Sequence, residues 1–97
     1  MQHYSLSSKF DTIDQLIFDE GLRIEAVDIH PALDMMLIIL NTKAVLHQKI
    51  SSYKGINTQN YDALLQFELI GGGTGIHWPV LDEDLSLKGF LRDELKR

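Results

Sequence analysis

Apolar residues change their spacing several times along this chain, and each change marks an element. Phe10, Ile13, Leu16 and Ile17 share one face at helical spacing. Thr12 and Gln15 stand at the separation of a capping box and Gly21 supplies a stop, which predicts a helix over about 11–20. Residues 1–9 read as a loose lead-in. From 22 to 29 the period becomes extended, with Leu22, Ile24 and Ala26 facing one way and Val27 and Ile29 the other. That switch predicts a bulge or two covered faces. Pro31 in "HPALD" cannot donate to a ladder, so the chain turns there. "MMLIIL" at 35–40 is apolar at every position, the pattern of a central strand buried on both faces. Asn41-Thr42 closes a hairpin without the glycine such turns favour, and 44–50 is the third strand of an antiparallel meander.

The second half is more punctuated. "SSYKGIN" at 51–57 reads as a loop and 58–66 as a short helix that turns Tyr61, Leu64 and Leu65 inward. Residues 67–70 and 76–78 are short extended segments on either side of a glycine cluster. Leu87, Phe90, Leu91 and Leu95 recur at i, i+3, i+4 and i+8, marking an amphipathic last helix started near Asp84 or Ser86. The order predicts one α+β domain over 1–97: a lead-in and helix over 1–21, then a sheet-and-helix core over 22–97. Its small antiparallel sheet, the three-strand meander plus one or two short strands, carries two to three helices.

Composition narrows the functional classes. The chain has 97 residues, no cysteine, and 9 Lys and Arg against 14 Asp and Glu. The missing cysteines exclude disulfides, thiol catalysis and cysteine-ligated metal centres. A formal charge of −5, with bases scattered singly, argues against direct nucleic-acid binding and suits a basic protein partner. The longest apolar run is too short to cross a bilayer and no secretory leader is evident, so a cytoplasmic location is expected.

Candidate chemistry concentrates in "GGGTGIHWPVLDEDLSLKGFL" at 71–91. Gly71, Gly72, Gly73 and Gly75 invite a phosphate-loop reading, but that chemistry needs a Lys and a Ser or Thr opening a helix, and here "IHWP" follows. Asp82, Glu83 and Asp84 beside His77 lack the ligand spacing of a calcium loop, and fit better as negative charge before a helix. His3, His30, His47 and His77 show no metal-binding spacing, although the meander could bring His47 near His30. No catalytic, cofactor-binding or metal-binding residue is therefore assigned. Trp78 is read first as core and second as a partner anchor. With Leu87, Phe90 and Leu91 of the last helix, it forms the candidate partner-binding set.

The stretch from Leu69 to Leu91 resembles the ending of a small bacterial family, domain of unknown function 2442. Members close with a Gly-Ile-x-Trp-Pro strand, a Leu-Asp-Glu-Asp-Leu-Ser turn and a short leucine-rich helix. Gly75, Ile76, Trp78, Leu81, Asp82, Asp84, Leu85, Ser86 and Leu91 carry the resemblance. The meander matches only in pattern, the whole spans roughly 22–91, and the first helix lies outside it. The resemblance implies a small α+β domain and no transferable catalytic residue. Some members look like partners of a small toxin-like protein encoded beside them, and others are fused to a helix-turn-helix domain that is not expected here. The leading expectation is a non-enzymatic protein-binding module, antitoxin-like or adaptor-like. It would act on a protein partner, such as a small basic toxin-like protein, or by homo-oligomerisation, through a sheet edge or the last helix. A regulatory subunit of a nucleic-acid-binding complex is the alternative. A small ligand sensor or enzyme, with a pocket at His77, Trp78 and Asp82, is the second.

Overall fold

A computed structural model describes residues 12–96. The expected lead-in, with Phe10, Asp11 and His3, lies outside the described residues. The first helix, α1, is helical from residue 12 and widens to a π-helix over Gln15–Asp19. It buries Ile13 and Ile17 as its spacing predicts. Gly21, at φ 74°, ends it, and Leu22 N–H reaches back to the Leu16 carbonyl at 2.9 Å. The Arg23 guanidinium donates to the Ile17 carbonyl at 2.6 Å, satisfying an acceptor that the helix end leaves open.

The predicted meander is present as β1 (Ile24–His30), β2 (Met35–Leu40) and β3 (Val45–Gln48), with β2 in the centre. Ile24 pairs with Leu40 and Ala26 with Ile39, so Glu25 is the extra residue of a bulge. The bulge returns Ile24 to the face that carries Val27 and Ile29 and sends Ala26 to the other, correcting the side expected for Ala26. The β2–β3 turn places Lys43, at φ 77°, where a glycine is favoured. Asn41 ties this turn to the start of β1, accepting from Arg23 N–H at 3.1 Å and donating to the Gly21 carbonyl at 3.0 Å.

A second sheet replaces the one or two extra strands expected. It comprises β4 (Glu68–Ile70), β5 (Gly75–Trp78) and β6 (Glu83–Ser86), antiparallel in that order. "EDLS" is thus a strand rather than only a lead into a helix: Ile76 pairs with Leu85, and His77 with Asp84. The short helix α2 is confined to Tyr61–Leu64, capped by the Asn60 side chain, which accepts from Ala63 N–H at 3.2 Å. It buries Ala63 and Leu64, while Tyr61 and Leu65 are exposed, contrary to expectation. The last helix, α3 (Leu87–Leu95), is capped by Ser86, whose Oγ accepts from Gly89 N–H at 3.0 Å. It packs beside β3 and β6.

One core joins these layers. Ile13, Ile17, Ile24, Met36, Ile38, Leu40, Ile76, Trp78, Leu87 and Phe90 all belong to it, as do Ile50 and Ile56 from the connecting loop. Trp78 is fully buried, donates its indole N–H to the Leu64 carbonyl at 2.9 Å, and lies against the Phe67 ring at 6.2 Å. The glycine cluster turns β4 into β5 and docks on β1: Ile24 N–H donates to the Gly73 carbonyl at 2.8 Å. A Cβ on Gly73, at φ 108°, would lie 2.6 Å from the Ile24 carbonyl oxygen, whereas one on Gly72, at φ 66°, meets nothing. Gly73→Ala is therefore expected to cost about 2–3 kcal/mol, against about 1 kcal/mol for Gly72→Ala. Urea denaturation of the two variants checks this, and equal losses would contradict the close approach.

Candidate functional site

Two amides of the glycine turn, those of Gly73 and Thr74, are committed to hydrogen bonds within it. Gly73 and Thr74 N–H both donate to the Ile70 carbonyl, at 3.0 and 3.1 Å, and Thr74 Oγ donates to the Gly71 carbonyl at 3.1 Å. Amides committed in this way do not form the open cradle that a phosphate loop presents. Arg23, whose Cβ lies near Gly73, has its guanidinium on the carbonyls of Ile17 and Leu22.

The acids and His77 form a row rather than a cage. Cross-strand pairing sets Glu68, His77 and Asp84 side by side on the exposed face of the second sheet, with Ile76 and Trp78 alternating to the buried face. The His77 Nδ1 is hydrogen-bonded to Asp84 Oδ1. That bond, with the charges of Asp84, Glu68 and Asp82, holds the His77 pKa above the ordinary value of 6.5. Among the described residues no grouping of three His, Asp or Glu side chains is arranged to hold a metal ion. His30 and His47 do not meet, because β2 separates their strands. His30 pairs with Met35 and His47 with Leu37, and His30 bonds instead to Asp28 at 2.9 Å.

The proposed partner-binding set divides. Trp78, Leu87 and Phe90 are at most 1% exposed, so they serve the core and offer nothing to a partner; Leu91 is half-buried against the same core. The apolar stripe of α3 is spent inside the domain as far as Leu91; Leu95, expected on the same inward face, is 48% exposed. Beside it lies a polar arrangement that spacing did not signal. Gln48, though on a strand, is buried; its amide donates to Glu94 at 2.7 Å, and its carbonyl is met by the Tyr53 hydroxyl, which also contacts Asp93 at 2.8 Å. This network fastens α3 to β3 and borders a shallow groove of about 490 Å³ lined by Tyr53, Ser86, Arg92 and Lys96. Elsewhere, Asp34 accepts from Ser51 N–H at 2.8 Å and from its hydroxyl at 2.5 Å, which lowers the Asp34 pKa.

A further apolar surface is the outer face of β1–β2–β3. Along β2, Met36, Ile38 and Leu40 are buried, while Met35, Leu37 and Ile39 alternate to the other side, half-buried and outside the core cluster. The strand was expected to be covered on both faces. Among the described residues it is covered on one. The neighbours on the open side are Ala26, Asp28 and His30 of β1 and Val45 and His47 of β3, in the rows Ala26–Ile39–Val45 and Asp28–Leu37–His47. Leu33, 66% exposed, extends the apolar strip at one end, beside a depression of about 480 Å³ bounded by Met35, His47 and Lys49.

With this geometry, the similarities to other proteins fall into place. The model of a family described as a protein of unknown function, DUF2442, matches residues 24–95. The chain belongs to that family. The match begins with β1 and ends with α3, leaving α1 outside, in agreement with the resemblance drawn from the Trp78 segment. A crystal structure of a protein of unknown function from Rhodospirillum rubrum is similar at a TM-score of 0.67 and 25% identity, over 75% of this chain and 88% of that one. A solution structure of an uncharacterised protein from Chromobacterium violaceum, 20% identical, shares the fold at a TM-score of 0.66, over 91% of this chain and 77% of that one. Among curated proteins, none matches the chain. No described helix is long and apolar enough to cross a membrane.

The histidine row has a measurable signature. Because the folded pKa of His77 is raised, its contribution to stability is fully present below the unfolded value near 6.5 and is lost as pH rises through the folded value. An NMR titration should place its midpoint above 6.5, and Asp84→Asn should lower it more than Glu68→Gln does. A midpoint that ignores Asp84→Asn would contradict the assignment.

Proposed function

We propose that this DUF2442 protein is a non-enzymatic protein-binding module, antitoxin-like or adaptor-like, working in a bacterial cytoplasm and engaging another protein chain through the outer face of β1–β2–β3. The observation that carries the proposal is β2 itself: six apolar residues in succession with only one face in the core. Exposed strands with one wet face normally alternate polar with apolar residues. A strand that spends three further apolar side chains on the open side fits a surface that another chain covers. The acidic balance of the chain and the polar, self-satisfied character of the His77 row support the same reading. The last helix is a weaker candidate because Leu87, Phe90 and Leu91 of its stripe are used internally.

Site-specific photo-crosslinking in cells tests this proposal. A photoreactive residue in place of Ile39 should trap one protein in near-stoichiometric yield, and the same probe in place of Glu68 should trap none. Trapping from Glu68 with none from Ile39 would overturn it.

A further inference from the structure

The outer face carries a charge pattern that bears on its occupant. Its middle is apolar, with Met35, Leu37 and Ile39 of β2. One flank, β1, carries the Asp28 carboxylate, beside His30; the other, β3, carries His47, with Lys49 at its end. The Asp28–Leu37–His47 row therefore runs from a carboxylate, bonded to His30 on its own strand, through an apolar centre to an imidazole, with the Lys49 ammonium at the end of that flank.

Such a row is complementary to itself. Two copies packed face to face with aligned strands can be related by a twofold axis in the interface in one of two ways. An axis perpendicular to the strands sets β1 over β1 and β3 over β3, so no Asp28 faces the His47 of the other copy. An axis parallel to β2 sets each β1 over the other copy's β3. Leu37 then meets Leu37, Ile39 meets Ile39, and each Asp28 faces the His47 of the other copy.

Resting on the reading of this face as the protein-binding surface, we propose that its occupant is a second copy of this chain, related by a twofold axis parallel to β2. The arrangement closes the apolar strip and uses both flanks, so no partner of different sequence is required to complete the fold's second hydrophobic surface. Three strands of this length span roughly 15 by 20 Å. That is small beside the roughly 800 Å² per partner of a standard interface, so association in the micromolar range is expected. The formal charge of −5 opposes approach at long range, but at about 0.15 M salt screening damps it beyond about 8 Å and leaves contacts within the face to set the arrangement.

The test is sedimentation of the purified full chain from about 1 to 500 μM, a range set by the small interface. A concentration-dependent dimer is expected, and Leu37→Glu should abolish it without changing the circular dichroism spectrum. Asp28→Lys and His47→Asp should each weaken the dimer about tenfold, since like charges across an interface repel, and the double variant should recover to within about threefold of the original. A monomer throughout, a dimer indifferent to Leu37→Glu, or a double variant no better than the singles would each overturn the proposal. A monomer whose Ile39 probe traps a different protein would overturn the second copy while leaving the binding face standing; no trapping at Ile39 would end both.

Discussion

A strand has two faces, and β2 makes both of them hydrophobic. The rest of the fold is arranged around one half of that constraint. Met36, Ile38 and Leu40 point to the side where α1, the second sheet and α3 converge, and burying three such side chains contributes roughly 5–9 kcal/mol before conformational entropy is counted. The Glu25 bulge exists in the same service, since without it Ile24 would lie on the opposite face from Val27 and Ile29. The other half of the constraint, the Met35–Leu37–Ile39 side, is met by no described element. Function is argued from that imbalance.

The region that most resembled a chemical site turns out to be the means by which the second sheet attaches to the first. The glycines permit a left-handed turn in which the Gly73 and Thr74 amides bond back to Ile70, and the Gly73 carbonyl receives the first amide of β1. Two residues past Ile76, Trp78 fills the core and satisfies its indole on Leu64. On the reverse of that strand, His77 is hydrogen-bonded to Asp84 in an exposed row. Gly73, Thr74, His77 and Trp78 all spend polar groups on partners within the domain, so the segment fixes the geometry of the fold.

Where periodicity spans a whole element, the sequence was informative. The α1 stop at Gly21, the meander, the bulge in β1 and the inward face of α3 as far as Leu91 are all legible from residue spacing, whereas Leu95, at the helix end, is exposed. The losses fall where three-residue segments and loops contribute to the core. Ile56 is buried from a stretch that reads as loop, and Ile50, expected to end the third strand, is buried from the 3-10 turn just beyond it; no period can mark a lone isoleucine. Acidic "LDEDLS" hid β6, because Asp and Glu disfavour strands and their role depends on His77 lying opposite. Trp78, Leu87 and Phe90 could be named as core or interface residues but not sorted between them, since both environments select the same side chains. Gln48 gave no signal at all; its burial follows from Tyr53, Asp93 and Glu94 arriving from distant segments.

The central claim is that the outer side of β2 is a covered surface. Methyl NMR with a soluble paramagnetic probe measures this directly, by comparing relaxation at Met35, Leu37 and Ile39 with that at Leu69 and Ile70 as protein concentration rises. The account predicts that the first three become shielded with increasing concentration while the pair on β4 stays equally accessible. Unchanged accessibility at all five methyl-bearing residues, or shielding confined to β4, would contradict it.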